Sequence, residues 1–304
     1  MCKRLLLFCL GLVAMVSTTR LPDEPISMMP VAAQQAAADQ VVALPNAPAS
    51  LKFTVLGDFG TGERAQYELA EQIVRLRERF VFEFVILVGG NIYGSERPQD
   101  FLKKFEVPYK RLLDAGVAFH AALGKNDSRE QRNYKLFNMD GKSYYTFSPR
   151  PDVRFFALDS TYPTLEQIRW VAEQLEASSA AWKIAFFHQP LYSSGPREDP
   201  SAPLRSALEP LFVKYNVSVA LTGQDHFYER VKPQHGIAHF VVGSSGQLRP
   251  GHLNGASTLT AKGFDKDQAF MAAEIVGDQM FFAAISRTGT TVDSGVLRRR
   301  SGAF

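Results

Sequence analysis

Cysteine is nearly missing from this 304-residue chain: Cys2 and Cys9 are the only two, and both fall in the first nine residues. A disulfide framework is therefore excluded, and everything beyond that point must be held by packing. No excess of one charge is present either. The 34 Lys and Arg nearly balance 31 Asp and Glu. Lys3, Arg4 and the run Arg298, Arg299, Arg300 sit in the terminal segments and outnumber the net charge of +3, so the body of the chain is near neutral and lacks the electrostatic footprint of a nucleic-acid binder. That terminal run reads as a solvated tail. A hydrophobic share of 45% with 21% charged residues excludes a disordered, collagen-like or multi-span membrane chain.

The N-terminus reads as an address. Lys3 and Arg4 precede an apolar run over residues 5–16, and Ser17, Thr18 and Thr19 follow. The run suits a signal peptide and is short for a membrane span of roughly 20 residues. Residues 1–17 are thus expected to be a signal peptide or an uncleaved anchor. Either way the protein is exported, secreted or periplasmic, with the membrane touched only through an uncleaved segment. Residues 18–50 are rich in Ala, Gln and Pro and read as a linker. One domain is expected over residues 51–304.

Within that domain, apolar runs alternate with helical periodicity. Strands are predicted over 51–56, 84–88, 117–123, 153–158, 183–187 and 217–221. Helices are predicted over 64–80, 99–115, 164–177 and 204–215. A run of strands closes the chain at 226–232, 237–243, 269–276, 279–286 and 291–297. Alternation followed by a strand run predicts an α/β fold, a layered sandwich with mixed sheets.

Polar, glycine-bearing segments follow five of these strands: Gly57-Asp58-Phe59-Gly60, Gly89-Gly90-Asn91-Ile92-Tyr93, Gly124-Lys125-Asn126-Asp127, His188-Gln189-Pro190 and Gly223-Gln224-Asp225-His226. Ligands of open α/β sheets bind outside the carboxyl ends of strands. Asp, His, Tyr and Asn offer the oxygen and nitrogen donors that metals take. His120, His235, His239 and His252 fall outside these segments and read as structural or surface histidines.

The five segments resemble, in order, the motifs of the calcineurin-like metallophosphoesterases, most closely the purple acid phosphatase branch: GD-x-G, GD-x-x-Y, GNH-[ED], x-x-H and GH-x-H. The resemblance runs from about residue 51 to 297 and takes in the stretches 154–160, 182–195 and 226–230. It implies an α/β/β/α sandwich of two mixed sheets flanked by helices, and metal-dependent hydrolysis of phosphate monoesters. It also implies two metals bridged by the second-motif Asp. One metal would take Asp58, Tyr93 and His226; His188 would serve the other.

Four motif positions depart from that pattern. Gly90 stands where the bridging Asp belongs, Lys125 at the Asn ligand, Asn126 at the catalytic His and Gln224 at the first His of the last motif. Glycine offers no ligand. A lysine ammonium beside a cation is repelled by roughly 4 kcal/mol at an effective dielectric near 20. Asparagine cannot act as a general acid near neutral pH. The expectation is a phosphatase-like domain with a degraded dimetal site and little turnover, holding at most one transition metal (Fe, Zn or Mn) at Asp58, Tyr93 and His226. Two alternatives stand beside it. One is a mononuclear phosphatase in which Lys125 replaces the second metal. The other is a non-enzymatic phosphate-binding or scaffolding protein, with Lys125 on the phosphate or phosphomonoester and protein partners unspecified. Reversing the four departures is expected to restore the second metal site.

Overall fold

The computed structural model describes residues 44–195 and 201–300. The signal-peptide reading of residues 1–17 lies outside them. Among the described residues, no helix is long and apolar enough to cross a membrane.

Two mixed sheets face each other. The first has the order β13-β12-β11-β1-β2-β3, where β1 is Leu51–Leu56, β2 Phe84–Leu87, β3 Ala118–Ala121, β11 Ala269–Val276, β12 Gln279–Ser286 and β13 Thr291–Arg298. The second has the order β10-β8-β9-β7-β6-β5-β4, with β4 Tyr145–Arg150, β5 Val153–Ala157, β6 Trp182–Phe186, β7 Val219–Thr222, β8 Tyr228–Gln234, β9 Ile237–Val242 and β10 Thr260–Phe264. β1, β2 and β3 run parallel, as do β5, β6, β7 and β9. The carboxyl ends that carry the motifs therefore gather at one end of the sandwich. The helices are α1 Arg64–Arg79, α2 Pro98–Phe101, α3 Lys110–Asp114, α4 Leu165–Glu176 and α5 Ala202–Lys214.

Side chains alternate across a strand, and β5 shows the consequence. Phe155 points between the sheets, where its ring meets Phe53 at 5.3 Å and Phe84 at 5.4 Å. Its neighbour Phe156 joins Val171, Leu175, Leu208 and Phe212 in a second apolar cluster with α4 and α5. Polar links join the sheets as well. Trp182 Nε1 donates to the Gly277 carbonyl at 2.9 Å, and Asp293 of β13 accepts from Tyr228 and Arg230 of β8, each at 2.8 Å.

Several expectations need correction. The helix predicted over 99–115 is broken into α2, a π-helical turn at Leu102–Glu106 and α3. Pro108 lacks the N–H that would continue the helical hydrogen bonds, and just before it the Val107 N–H bonds back five residues to Leu102, at 2.8 Å, while its backbone stays helical. The edge strands β4 and β10 were not predicted, because Ser148-Pro149 and Lys262-Gly263 interrupt their patterns. Residues 44–50, read as linker, are tied to the domain. The buried Glu274 carboxylate accepts the N–H of Asn46 at 2.8 Å and of Ala47 at 2.6 Å, and the Ser50 hydroxyl at 2.5 Å. Arg300 is not a solvated residue either. Its guanidinium caps the end of α5, donating to the carbonyls of Phe212 at 3.2 Å and Val213 at 3.3 Å.

His120 and His239 are structural. His120 stacks on Phe147 at 3.8 Å, and burial pushes its pKa down from 6.5 to about 4, against the opposing pull of Asp140. Burial, with His235 nearby, pushes His239 down to about 3. Folding therefore favours their neutral forms. The stability this protects is whole above about pH 6.5 and drains away as pH falls toward these lowered values. Urea midpoints should drop between pH 7 and pH 5, and less steeply for His120→Phe, which keeps the stack and loses the titration. Glu274→Ala should cost about 1–3 kcal/mol at pH 7 by stranding three donors, read as a lower urea midpoint with an unchanged slope.

Candidate metal and phosphate site

Asp58 follows β1 with its backbone in the left-handed region, at φ 53°. Its side chain is fully buried, and both of its oxygens are engaged. Oδ1 accepts the Tyr93 hydroxyl at 2.6 Å, and Oδ2 accepts the Gln224 N–H at 2.7 Å. His226 Nε2 lies 3.5 Å from Oδ1, and His188 Nε2 lies 4.0 Å from it. Burial alone would raise the Asp58 pKa. His188, His226 and the Tyr93 hydroxyl outweigh it and hold the carboxyl below its ordinary value. Burial and the neighbouring Asp58 charge push the Tyr93 phenol well above its own. Tyr93 therefore enters the site as a hydrogen-bond donor.

His188 follows β6. Its Nδ1 faces the Val88 carbonyl at 3.0 Å, which assigns the proton to Nδ1 and leaves Nε2 as an electron-pair donor aimed toward Asp58. His226 lies just before β8, with Nε2 3.3 Å from the Tyr93 hydroxyl. The structure thus brings together all four residues expected to bind metal: Asp58, Tyr93, His188 and His226.

The donor set fits one cation. Ligand atoms about 2.0–2.2 Å from one metal lie roughly 3–3.5 Å from each other; His226 Nε2 stands 3.5 Å from Asp58 Oδ1 and 3.3 Å from the Tyr93 hydroxyl, while the hydrogen-bonded Tyr93 hydroxyl and Asp58 Oδ1, at 2.6 Å, would part slightly to admit a cation. Among the described residues, no three His, Cys, Asp or Glu side chains gather as a metal cluster, so the set depends on Tyr93 as its third member.

At the position of the bridging carboxylate the chain has no side chain. Gly90 has φ +67°, and a Cβ built there would fall 2.5 Å from Asp58 Oδ1 and 2.7 Å from its Cα. An Asp at 90 would therefore have to shift the loop or Asp58 to enter, so a reversal of the four departures carries that added demand. Lys125 and Asn126 are exposed and line the cleft, and Gln224 engages Asp58 through its backbone.

Two further features went unread in the sequence. Asp127, in the third motif, binds the backbone of two loops at once. Its carboxylate accepts the N–H groups of Gly90 at 2.9 Å, Asn91 at 2.9 Å, Ile92 at 3.2 Å and Gly124 at 2.7 Å. Its position in the Gly124–Asp127 tetrad was the available signal. Arg249 is exposed at the cleft, and its own N–H bonds to the His226 carbonyl at 2.9 Å; nothing in its sequence surroundings marked it. The cleft encloses about 640 Å³. Neither Lys125 nor Arg249 has an ion-pair partner among the described residues, so both cations are free to meet an anion.

The calcineurin-like phosphoesterase family model matches residues 35–228. Purple acid phosphatase 4 of Arabidopsis thaliana is 24% identical over 78% of this chain and 80% of its own. Rat tartrate-resistant acid phosphatase type 5 is 23% identical over 86% of this chain and 96% of its own. In structure, the chain is similar to GAP50, the anchor in the inner membrane complex of Plasmodium, with a TM-score of 0.71 and 20% identity over 84% of this chain and 90% of that one. It is also similar to a purple acid phosphatase from yellow lupin seeds, with a TM-score of 0.69 and 17% identity over 84% of this chain and 55% of that one.

Replacing Asp127 with Asn puts a donor where an acceptor is needed and strands backbone N–H groups. Asp127→Asn should lower stability by about 1–3 kcal/mol and speed amide hydrogen exchange at residues 90–92 and 124 more than elsewhere.

Proposed function

The chain belongs to the calcineurin-like phosphoesterase family, and from that premise we propose that it binds a phosphate-bearing ligand in the motif cleft with little or no hydrolytic turnover. The observation that carries this reading is the closed approach of Gly90 to Asp58, which leaves no room for the carboxylate that would bridge two metals. Asn126 compounds the loss, since an amide is far too weak an acid to protonate a leaving alkoxide.

What remains suits binding. Lys125 and Arg249 present positive charge at the cleft mouth, and an ammonium or guanidinium holds phosphate oxygens through charge-assisted hydrogen bonds. Asp58 would oppose an anion if it stood bare, but Tyr93, His226 and His188 surround it. One transition metal held by Asp58, Tyr93 and His226 would add a Lewis acid to polarise a phosphoryl oxygen. The protein's own groups then orient the ester, and no residue of the second half-site prepares a water to attack it.

The fold does not dictate turnover, because function lies in the site. GAP50, which shares this fold, is named an anchor, so a binding or scaffolding role has a precedent on it. The signal-like pattern at 1–17 supports a role outside the cytoplasm.

Two measurements test the reading. Elemental analysis should find no more than one tightly held metal per chain; two would overturn it. Hydrolysis of an aryl phosphate with added Fe, Zn or Mn should fall at least about 10²–10⁴-fold below that of a dimetal relative, while inorganic phosphate binds and Lys125→Ala weakens that binding. Ordinary turnover would refute the proposal.

A further inference from the structure

The loop after β5 forms one wall of the same cleft and carries none of the metal positions. It is held unusually firmly. Asp159 Oδ1 accepts the N–H groups of Thr161 at 3.0 Å and Tyr162 at 2.9 Å. The Gln167 side chain bonds the Asp159 N–H at 2.7 Å and the Asp159 carbonyl at 2.8 Å. This rigid loop presents Tyr162 at the cleft with 56% of its surface exposed. The Arg129 guanidinium sits 4.7 Å from the ring centre, with its Nη2 3.7 Å from Asp159 Oδ2.

A ring with a fixed backbone and a cation behind it is a stacking surface. The cleft, at about 640 Å³, falls in the range of drug-sized ligands and is far larger than a phosphate ion requires. Lys125 and Arg249 line it with Tyr162. A small molecule that carries both a phosphate and a planar ring has chemistry to engage all three.

We propose that Tyr162, backed by Arg129, is a platform for the base of a nucleoside 5′-phosphate whose phosphate meets Lys125 and Arg249. This rests on the phosphate-binding reading of the cleft and names the ligand class for it. Tyr162 is then a specificity-determining residue, with no part in metal binding.

The test is equilibrium binding of AMP, ribose 5-phosphate, phenyl phosphate and inorganic phosphate to the full chain, to Tyr162→Ala and to Tyr162→Phe. AMP should bind about tenfold tighter than ribose 5-phosphate, the size of one base–aromatic stack. The ratio of AMP to inorganic phosphate affinity should fall about tenfold in Tyr162→Ala and hold in Tyr162→Phe. An exposed ring adds little to folding, so matched thermal unfolding of the variants would confirm that they are intact. AMP binding no better than ribose 5-phosphate, or an AMP advantage that survives Tyr162→Ala, overturns the platform. An equal advantage for phenyl phosphate overturns the assignment to a nucleoside. Absence of inorganic phosphate binding by the unaltered chain removes the underlying reading, and the platform falls with it.

Discussion

A carboxylate buried at the end of a central strand has to be satisfied without water, and the site is organised around that demand. An unpaired charge in such a place would cost several kcal/mol. Asp58 avoids the cost through contacts with three other loops: Tyr93 after β2, His188 after β6, and Gln224 with His226 after β7. The left-handed backbone at Asp58 and at Gln224 is the strain accepted to aim these groups at one point. Every strand end that contributes must keep its register, because the partners come from both sheets.

This demand separates architecture from chemistry. Asp58 needs donors around it whether or not a metal is present, and Tyr93 and Gln224 supply them within the protein. Asp127 does the same for the loop backbones, gathering four N–H groups that would otherwise be buried unpaired. A scaffold stabilised in this way can lose its bridging ligand, its acid and a histidine while the loops stay in place. At Gly90 the backbone lies so close to Asp58 that a Cβ would fall 2.5 Å from its Oδ1.

Much of this was legible in the sequence. Strands β1, β2, β5, β6, β9, β11 and β12 and helices α1, α4 and α5 follow from apolar runs and helical spacing, within a residue or two at their ends. The convergence of Asp58, Tyr93, His188 and His226 followed from motifs at strand ends. What escaped was whatever depends on long-range placement. The residues 98–114 have a helical apolar pattern, and one proline overrides it. Glu274 looks like any strand glutamate until residues 46–50 fold back on it. Asp127, Arg249 and Tyr162 acquire their roles from loops distant in sequence. The conflict at Gly90 is a matter of a few ångströms of backbone that no residue name encodes.

The Glu274 tether gives the domain a mechanical character. Tension applied to the chain ahead of residue 44 would first meet the three hydrogen bonds to Glu274. Past them it would reach β1, which lies between β11 and β2 in the middle of its sheet. To pull β1 out, two ladders of backbone hydrogen bonds must be sheared together, and the loop bearing Asp58 would be dragged with it. A protein held by its N-terminus would thus resist extraction at the strand on which its binding cleft depends.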